Sequence, residues 1–233
     1  MRIALTLPLL TVLTLPVAAG AAGFTPPEGC TLDLTMQGRG CVVANYYRCD
    51  GDAPGDRHSA FADREGVFYV SRIDTETRWM ESYSPVTGVT ERLVPDAHSH
   101  ASFSRLLATG RDDFDFAVVG SNGELRRYRG HDQLTGETRV IDGEPLEVTS
   151  FAIDVMDGDG NILSSRRGQQ FIHRAERLFF GGRDTTTTPG QPDVQSVEDP
   201  VSFARPGQPG FGDAKPQYDC DLLMTGAPIG GAG

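Results

Sequence analysis

Lysine is all but missing from this chain. Of its 21 basic residues only Lys215 is a lysine, and it lies between Ala214 and Pro216. Chemistry that needs a lysine nitrogen, such as a Schiff base or a Ser-x-x-Lys pair, therefore has one poorly placed candidate. Positive charge is also outnumbered, 21 residues against 32 acidic ones, for a net charge of −11. That balance works against nonspecific adhesion to nucleic acid or to anionic membrane surfaces. Beyond Val17 no apolar stretch reaches the roughly 20 residues that a membrane-spanning helix needs. Also missing are Gly-x-Ser-x-Gly, His-Glu-x-x-His, a phosphate loop and the paired Cys-x-x-Cys spacing of zinc sites. These absences do not exclude an enzyme, since triads assemble from distant positions. They leave no motif from which to name one.

What is present begins with a targeting signal. Met1 and Arg2 form a short positive region, an apolar run follows from Ile3 to Val17, and Ala18-Ala19-Gly20-Ala21 supplies small residues. Cleavage after Ala19 or Ala21 is expected, leaving one β domain over 22–226 and a disordered tail over 227–233. No cysteine follows the small residues directly, so a lipid anchor is not expected. Loss of Arg2 makes the mature chain one unit more negative than the whole.

Four cysteines remain, Cys30, Cys41, Cys49 and Cys220. An even count in an exported chain argues for two disulfides. Leu32, Leu34 and Met36 alternate with Thr31, Asp33 and Thr35, which reads as a strand; Gln37-Gly38-Arg39-Gly40 is a turn and 41–48 the return. Cys41 and Cys49 would lie roughly 26 Å apart along that return at about 3.3 Å per residue. They cannot bond to each other. A tight turn at Arg39-Gly40 puts Cys49 opposite Cys30 and leaves Cys41 for Cys220. A different turn register would give Cys30–Cys41 and Cys49–Cys220.

The body of the chain is punctuated by turns. Strands are expected over 66–73, 77–83, 89–94, 114–119, 124–129, 146–156, 162–173 and 178–181. Ser121-Asn122-Gly123 and Asp157-Gly158-Asp159-Gly160 are hairpin turns. Val86 to Thr90 and Leu134 to Thr138 carry similar turn chemistry. Threonine-rich 185–192 reads as loop, and Pro- and Gly-rich 205–216 as extended chain. Phe103, Leu106 and Leu107 recur at helical spacing, with Ser99 or Ser102 as N-cap and Gly110 as the stop. The expected class is all-β, a mostly antiparallel meander forming a curved sheet, half-barrel or barrel with one short helix near 99–109.

Two strands are apolar on both faces. Val67, Tyr69 and Ile73 oppose Phe68 and Val70, while Leu146 and Val148 oppose Phe151, Ile153 and Val155. A sheet wet on one side alternates cleanly. The second apolar face is either plain core or the lining of a pocket, for which Tyr69, Trp79, Leu106 and Phe151 are the candidates.

Three clusters bear on other chemistry. Asp96, His98 and His100 resemble a metal facial set, but at a helix start they are better read as caps and turn residues. Asp157 to Asn161 opens like a calcium loop, yet Ile162 and Gly168 stand where that loop needs glycine and glutamate. It is a hairpin turn. Arg126, Arg127 and Arg129, with Arg166, Arg167, Arg174 and Arg177, form either an anion-holding stripe or a set of cross-strand ion pairs; abundant carboxylates favour the second. His58, His131 and His173 have no cysteine or nucleophile nearby in sequence.

RYRGHDQLTGETRVIDGEPLEVTSFAIDVMDGDGN (127–161) and RRGQQFIHRAERLFF (166–180), within the stretch 61–183, resemble uncharacterised exported β-rich proteins of Gram-negative bacteria. In architecture the chain also resembles periplasmic lipoprotein carriers, whose curved sheet and lid helix hold acyl chains. That likeness implies a fold and carries over no binding residues. The expectation is a non-enzymatic periplasmic or extracellular protein without a cofactor, binding an apolar or amphipathic small molecule or a partner, and not nucleic acid. A hydrolase without a recognisable motif and a structural envelope component are the alternatives.

Overall fold

The computed structural model describes residues 23–221; the expected leader (1–21) and the expected tail (227–233) lie outside them. Thirteen strands form one antiparallel sheet: β1 (Cys30–Gly38), β2 (Val42–Cys49), β3 (Arg57–Ala62), β4 (Val67–Ile73), β5 (Trp79–Ser84), β6 (Val89–Leu93), β7 (Arg111–Gly120), β8 (Leu125–Ile141), β9 (Glu144–Met156), β10 (Ile162–His173), β11 (Leu178–Thr187), β12 (Val194–Val197) and β13 (Pro200–Ala204). Each strand from β1 to β12 pairs with the next, and β13 returns to the free edge of β1. This is the expected meander. The ladder does not close on itself, because β12 and β13 are successive parts of one segment split only by Glu198-Asp199. That segment reaches both edges: Arg39 N–H donates to Asp199 O at 2.9 Å and Glu198 N–H to Gly182 O at 2.7 Å.

The sheet curls because its apolar faces need partners. Leu34 and Met36 of β1 and Ala44 and Tyr46 of β2 pack on Leu146, Val148, Phe171, Leu178 and Phe180 of β9–β11. Ile172 and Phe179 alternate with Phe171 and Phe180, so they point the other way. There they receive the helix α1 (Phe103–Thr109) through Phe103 and Leu106. The apolar pattern on both faces of β9 thus has a physical reason: near Leu146 and Val148 it is a middle layer. Each fully buried side chain of this size contributes about 1.5–3 kcal/mol.

A seven-residue helix is marginal by itself. It is held from outside. Ser102 is the N-cap and Gly110, at φ 81°, the left-handed C-cap. Glu76, in the turn between β4 and β5, accepts hydrogen bonds from Ser102 Oγ (2.8 Å), Ser104 N (3.0 Å) and Ser104 Oγ (2.6 Å). Arg105 forms an ion pair with buried Asp112 on β7.

Several expectations need correcting. Leu134 to Thr138 is a bulge inside β8, and the hairpin turn comes later, at Asp142-Gly143. β11 extends through Thr187, so three of the four threonines of the run are strand. Residues 205–213 fold into successive tight turns rather than extended chain, with Gln208, Phe211 and Asp213 N–H groups reaching back three residues. Strands β3, β12 and β13 escaped notice because each is short and mostly polar or small, and sheet neighbours supply its ladder bonds.

Both disulfides form as first proposed. Cys30 faces Cys49 in the β1–β2 register, and their sulfurs are bonded. Cys41 is bonded to Cys220, a separation of 179 residues. The chain therefore belongs to an oxidising, non-cytoplasmic compartment, and no helix among the described residues is long and apolar enough to cross a membrane. On the chain-entropy model the 179-residue link should stabilise by about 2 kcal/mol more than the 19-residue link. Urea denaturation of the Cys41→Ser/Cys220→Ser and Cys30→Ser/Cys49→Ser variants should show the larger loss for the first. Equal losses would place the stabilisation in native contacts instead.

Candidate ligand-binding face

Alternation along β7, β8 and β9 puts Phe114, Phe116 and Val118, then Tyr128, then Phe151 and Ile153 on one side of the sheet. Trp79, at the start of β5, joins them. Its ring centroid lies 5.1 Å from Tyr128 and 5.5 Å from Phe116, and Phe116 stacks on Tyr128 at 5.4 Å. In a flat sheet β5 and β8 would stand about 14 Å apart, three strand spacings. The face bearing these rings is therefore concave. Tyr69 on β4 continues it toward Phe61, at 6.2 Å, and Tyr46.

Three of the four expected lining residues, Tyr69, Trp79 and Phe151, thus share the concave aromatic face. Leu106 lies on the same side but is wholly buried between α1 and the sheet. Trp79 is 42% exposed and closes the front of the ring cluster, so the face is a covered surface rather than a hollow. Two open depressions lie elsewhere. One of about 480 Å³ runs beside Phe24, Leu32 and Phe211, and one of about 190 Å³ surrounds Ala152 on the convex side.

The concave face has a polar border. Ser82 Oγ donates to Glu91 Oε2 at 3.4 Å, and Arg126 lies 3.7 Å from Glu91. Burial, with the negative Glu91 beside it, pushes the Tyr128 phenol well above its ordinary range; burial does the same to Tyr69. Both stay neutral hydroxyls at any physiological pH. Arg166 stands 6.0 Å over the Phe151 ring and is paired with Asp184 at 2.6 Å. A surface of this kind can hold an apolar chain and a polar head.

Below the rings sits an acidic pair that sequence reasoning missed. Asp112 and Asp132 are directly opposite each other on β7 and β8. Asp112 is compensated by Arg105 and by Ser102 N–H at 2.8 Å; Asp132 receives one hydrogen bond, from Gln170 Nε2 at 2.7 Å. Burial, then the neighbouring Asp112, raises the Asp132 carboxyl to about 7. Like charges across a ladder are unfavourable, so below about pH 7 the pair keeps one proton, on Asp132. Asp112 and Asp132 lie just outside the strands expected over 114–119 and 124–129, and only the observed register puts them face to face.

The other candidates are separated or neutralised. His100 Nε2 bonds to Pro95 O at 2.9 Å, and Asp96, His98 and His100 form no three-ligand group among the described residues. Cys49, Asp52 and His58 do converge, but the Cys49 sulfur is committed to a disulfide and supplies no thiolate. His58 is bonded to Asp52 at 2.6 Å and stacks on Tyr47. His173 Nδ1 accepts from Glu176 N–H and its Nε2 meets Glu144, so both ring nitrogens are occupied. The arginine stripe is divided: β9 separates β8 from β10, and Arg127 pairs with Asp115, Arg166 with Asp184, Arg167 with Asp154, Arg174 with Glu147 and Arg177 with Glu76. Cross-strand ion pairing is what most of these residues do. Asp157 Oδ1 accepts the N–H groups of Asp159 and Asn161, which makes that segment a side-chain-braced hairpin turn.

No family model, curated protein or solved structure matches the chain.

The acidic pair makes stability depend on pH. Native Asp132 holds a proton that the unfolded chain releases above about pH 4. Stability contributed by that proton should therefore be complete at low pH, fall between about pH 4 and 7, and be gone above the native value. Asp132→Asn should flatten this fall, gaining on the parent protein at pH 8 and not at pH 4. Parallel urea midpoints at the two pH values check it, and an unchanged pH slope in the variant would clear Asp132.

Proposed function

We propose that this is an exported, non-enzymatic protein of the periplasm or extracellular space that binds an amphipathic ligand across its concave aromatic face. The observation that carries the reading is the convergence of Tyr69, Trp79, Phe116, Tyr128 and Phe151 on one concave surface with Trp79 left 42% exposed. Aromatic rings give large contact area with few rotamers to freeze, and the Glu91–Arg126 border suits a polar head. A ligand reaches the inner rings by lying along Trp79 or by moving it aside, so Trp79 would act as the gate.

Trp79 is the only tryptophan, so its emission reports the site directly. A dodecyl-to-hexadecyl amphiphile should bind saturably at micromolar concentration with a change in Trp79 fluorescence. Phe151→Asp should weaken that binding by more than tenfold while circular dichroism shows the fold retained. No saturable binding, with Trp79 emission unaffected, would overturn the reading.

Export is a separate part of the proposal. Protein recovered from the periplasm or medium should begin at Gly20 or Ala22. An intact Met1 on the secreted, disulfide-bonded protein would exclude a cleaved leader.

A hydrolytic role would rest on Asp132, a carboxyl raised to about 7. Its hydrogen bond to Gln170 and its position opposite Asp112 fit a structural pair better, because among the described residues no hydroxyl, thiol or imidazole is bonded to either carboxyl.

A further inference from the structure

Arg129 is the exception among the arginines. Every other arginine of the described residues makes an ion pair with a carboxylate, and Arg129 makes none. In a protein with 32 acidic residues an unclaimed guanidinium is not explained by a shortage of partners. Asp115, the residue directly opposite it on β7, is taken up bidentately by Arg127, at 2.6 and 2.5 Å. Asp154, opposite it on β9, accepts from Ser165 Oγ at 2.7 Å and from Arg167 at 3.3 Å.

The register adds a cavity to this charge. On one rung of the convex face His131 of β8, Ala152 of β9 and Arg167 of β10 lie side by side. The short Ala152 side chain leaves a gap between two long ones, and Arg129 borders it from the neighbouring rung. The result is a depression of about 190 Å³ edged by Arg129, His131, Asp154 and Arg167 and floored by Gly130 and Ala152. His131 makes no side-chain hydrogen bond within the described residues.

We propose that this depression is a binding site for a phosphate-type oxyanion, held by the Arg129 and Arg167 guanidinium groups and the His131 imidazole. Guanidinium forks match the geometry of tetrahedral oxyanions and bind them with two parallel hydrogen bonds. The volume is ample for one phosphate group. The charged groups facing His131 are Arg111 and Asp113 from β7, Arg129 from β8, Asp154 from β9 and Arg167 from β10. Burial, with Arg111 and Arg167 added, lowers the imidazole below its ordinary range. At pH 7 the ring is neutral and acts as a hydrogen-bond donor. Asp154 loosens its contact with Arg167 when the anion competes for that guanidinium.

The test uses the full mature protein at low ionic strength. Inorganic phosphate is titrated by ³¹P NMR with the His131 ring resonances followed in parallel, and chloride of equal ionic strength is the control. Saturable binding is expected, with the His131 signals shifting. Arg129→Ala should weaken it about tenfold, the scale of one charged hydrogen-bonded contact. Ala152→Leu should block it by filling the gap while keeping every charge. Arg92→Ala removes an exposed, Glu81-paired arginine and should change nothing. Thermal melts confirm that each variant is folded. A phosphate-headed short-chain amphiphile forms the second arm: Arg129-dependent binding of it alone, without binding of free phosphate, identifies a lipid head group as the source and supports the site. Equal weakening by Arg92→Ala, or no Arg129-dependent binding in either arm, overturns it.

Discussion

A meander of thirteen strands has twelve neighbour pairs to build and two apolar faces to hide. The contact that reconciles them is the packing of Leu34, Met36, Ala44 and Tyr46 onto Leu146, Val148, Phe171, Leu178 and Phe180. It joins the first two strands to three of the last, so the sheet has to roll. Rolling makes one face concave, which brings Trp79 of β5 onto Tyr128 of β8. It also turns β9–β11 into a middle layer with α1 on its far side. The Cys41–Cys220 link and the segment 194–204 reinforce the same closure, since each ties the N-terminal hairpin to late chain.

Charge follows from the same geometry. Arginine presents a planar fork that pairs with carboxylates across adjacent strands, where lysine's point charge would serve less well. With one lysine in the chain, nearly all positive charge is available for such pairing. Individually these exposed pairs contribute little, about 0–1 kcal/mol. Their collective consequence is a convex face whose charges are largely cancelled, against which an unpaired Arg129 stands apart.

Local signals were legible in the sequence where one short stretch decides the outcome. Ser102, Gly110 and the Phe103/Leu106 spacing defined α1, Asp157 to Asn161 defined a hairpin, and alternation plus the Arg39-Gly40 turn set the Cys30–Cys49 register. What was hidden depends on long-range register. The bulge at Leu134 in β8 looks like a hairpin turn because Thr-Gly-Glu serves either purpose; only continued pairing with β9 distinguishes them. β3 and β13 have weak strand character of their own and exist through their neighbours. Of the candidate site, Tyr69 and Phe151 were legible from two-faced apolarity and Trp79 from the area its ring can bury. Phe116 and Tyr128, the rings that Trp79 touches, were not, because curvature is a property of the whole sheet.

Strand β9 shows how little freedom the arrangement leaves. Phe151 and Ile153 point into the concave ring cluster, while Ala152 and Asp154 edge the convex depression. A slip of one residue would exchange the two sets and place a carboxylate among the aromatic rings. Close backbone approach opposes that slip. A Cβ added at Gly130 would come within 2.1 Å of Ala152 O, and one at Gly168 within 2.1 Å of Arg183 O. Glycine at these positions is thus a steric requirement of the β8–β9 and β10–β11 pairings, not a matter of turn freedom. The Asp157 side chain, bonded to Asp159 and Asn161, fixes the β9–β10 turn from its end. Both candidate surfaces therefore rest on one register, and a substitution that shifted it would disturb aromatic face and basic depression together. Separate loss of one function with the other intact would have to come from side chains such as Phe151 or Arg129 alone.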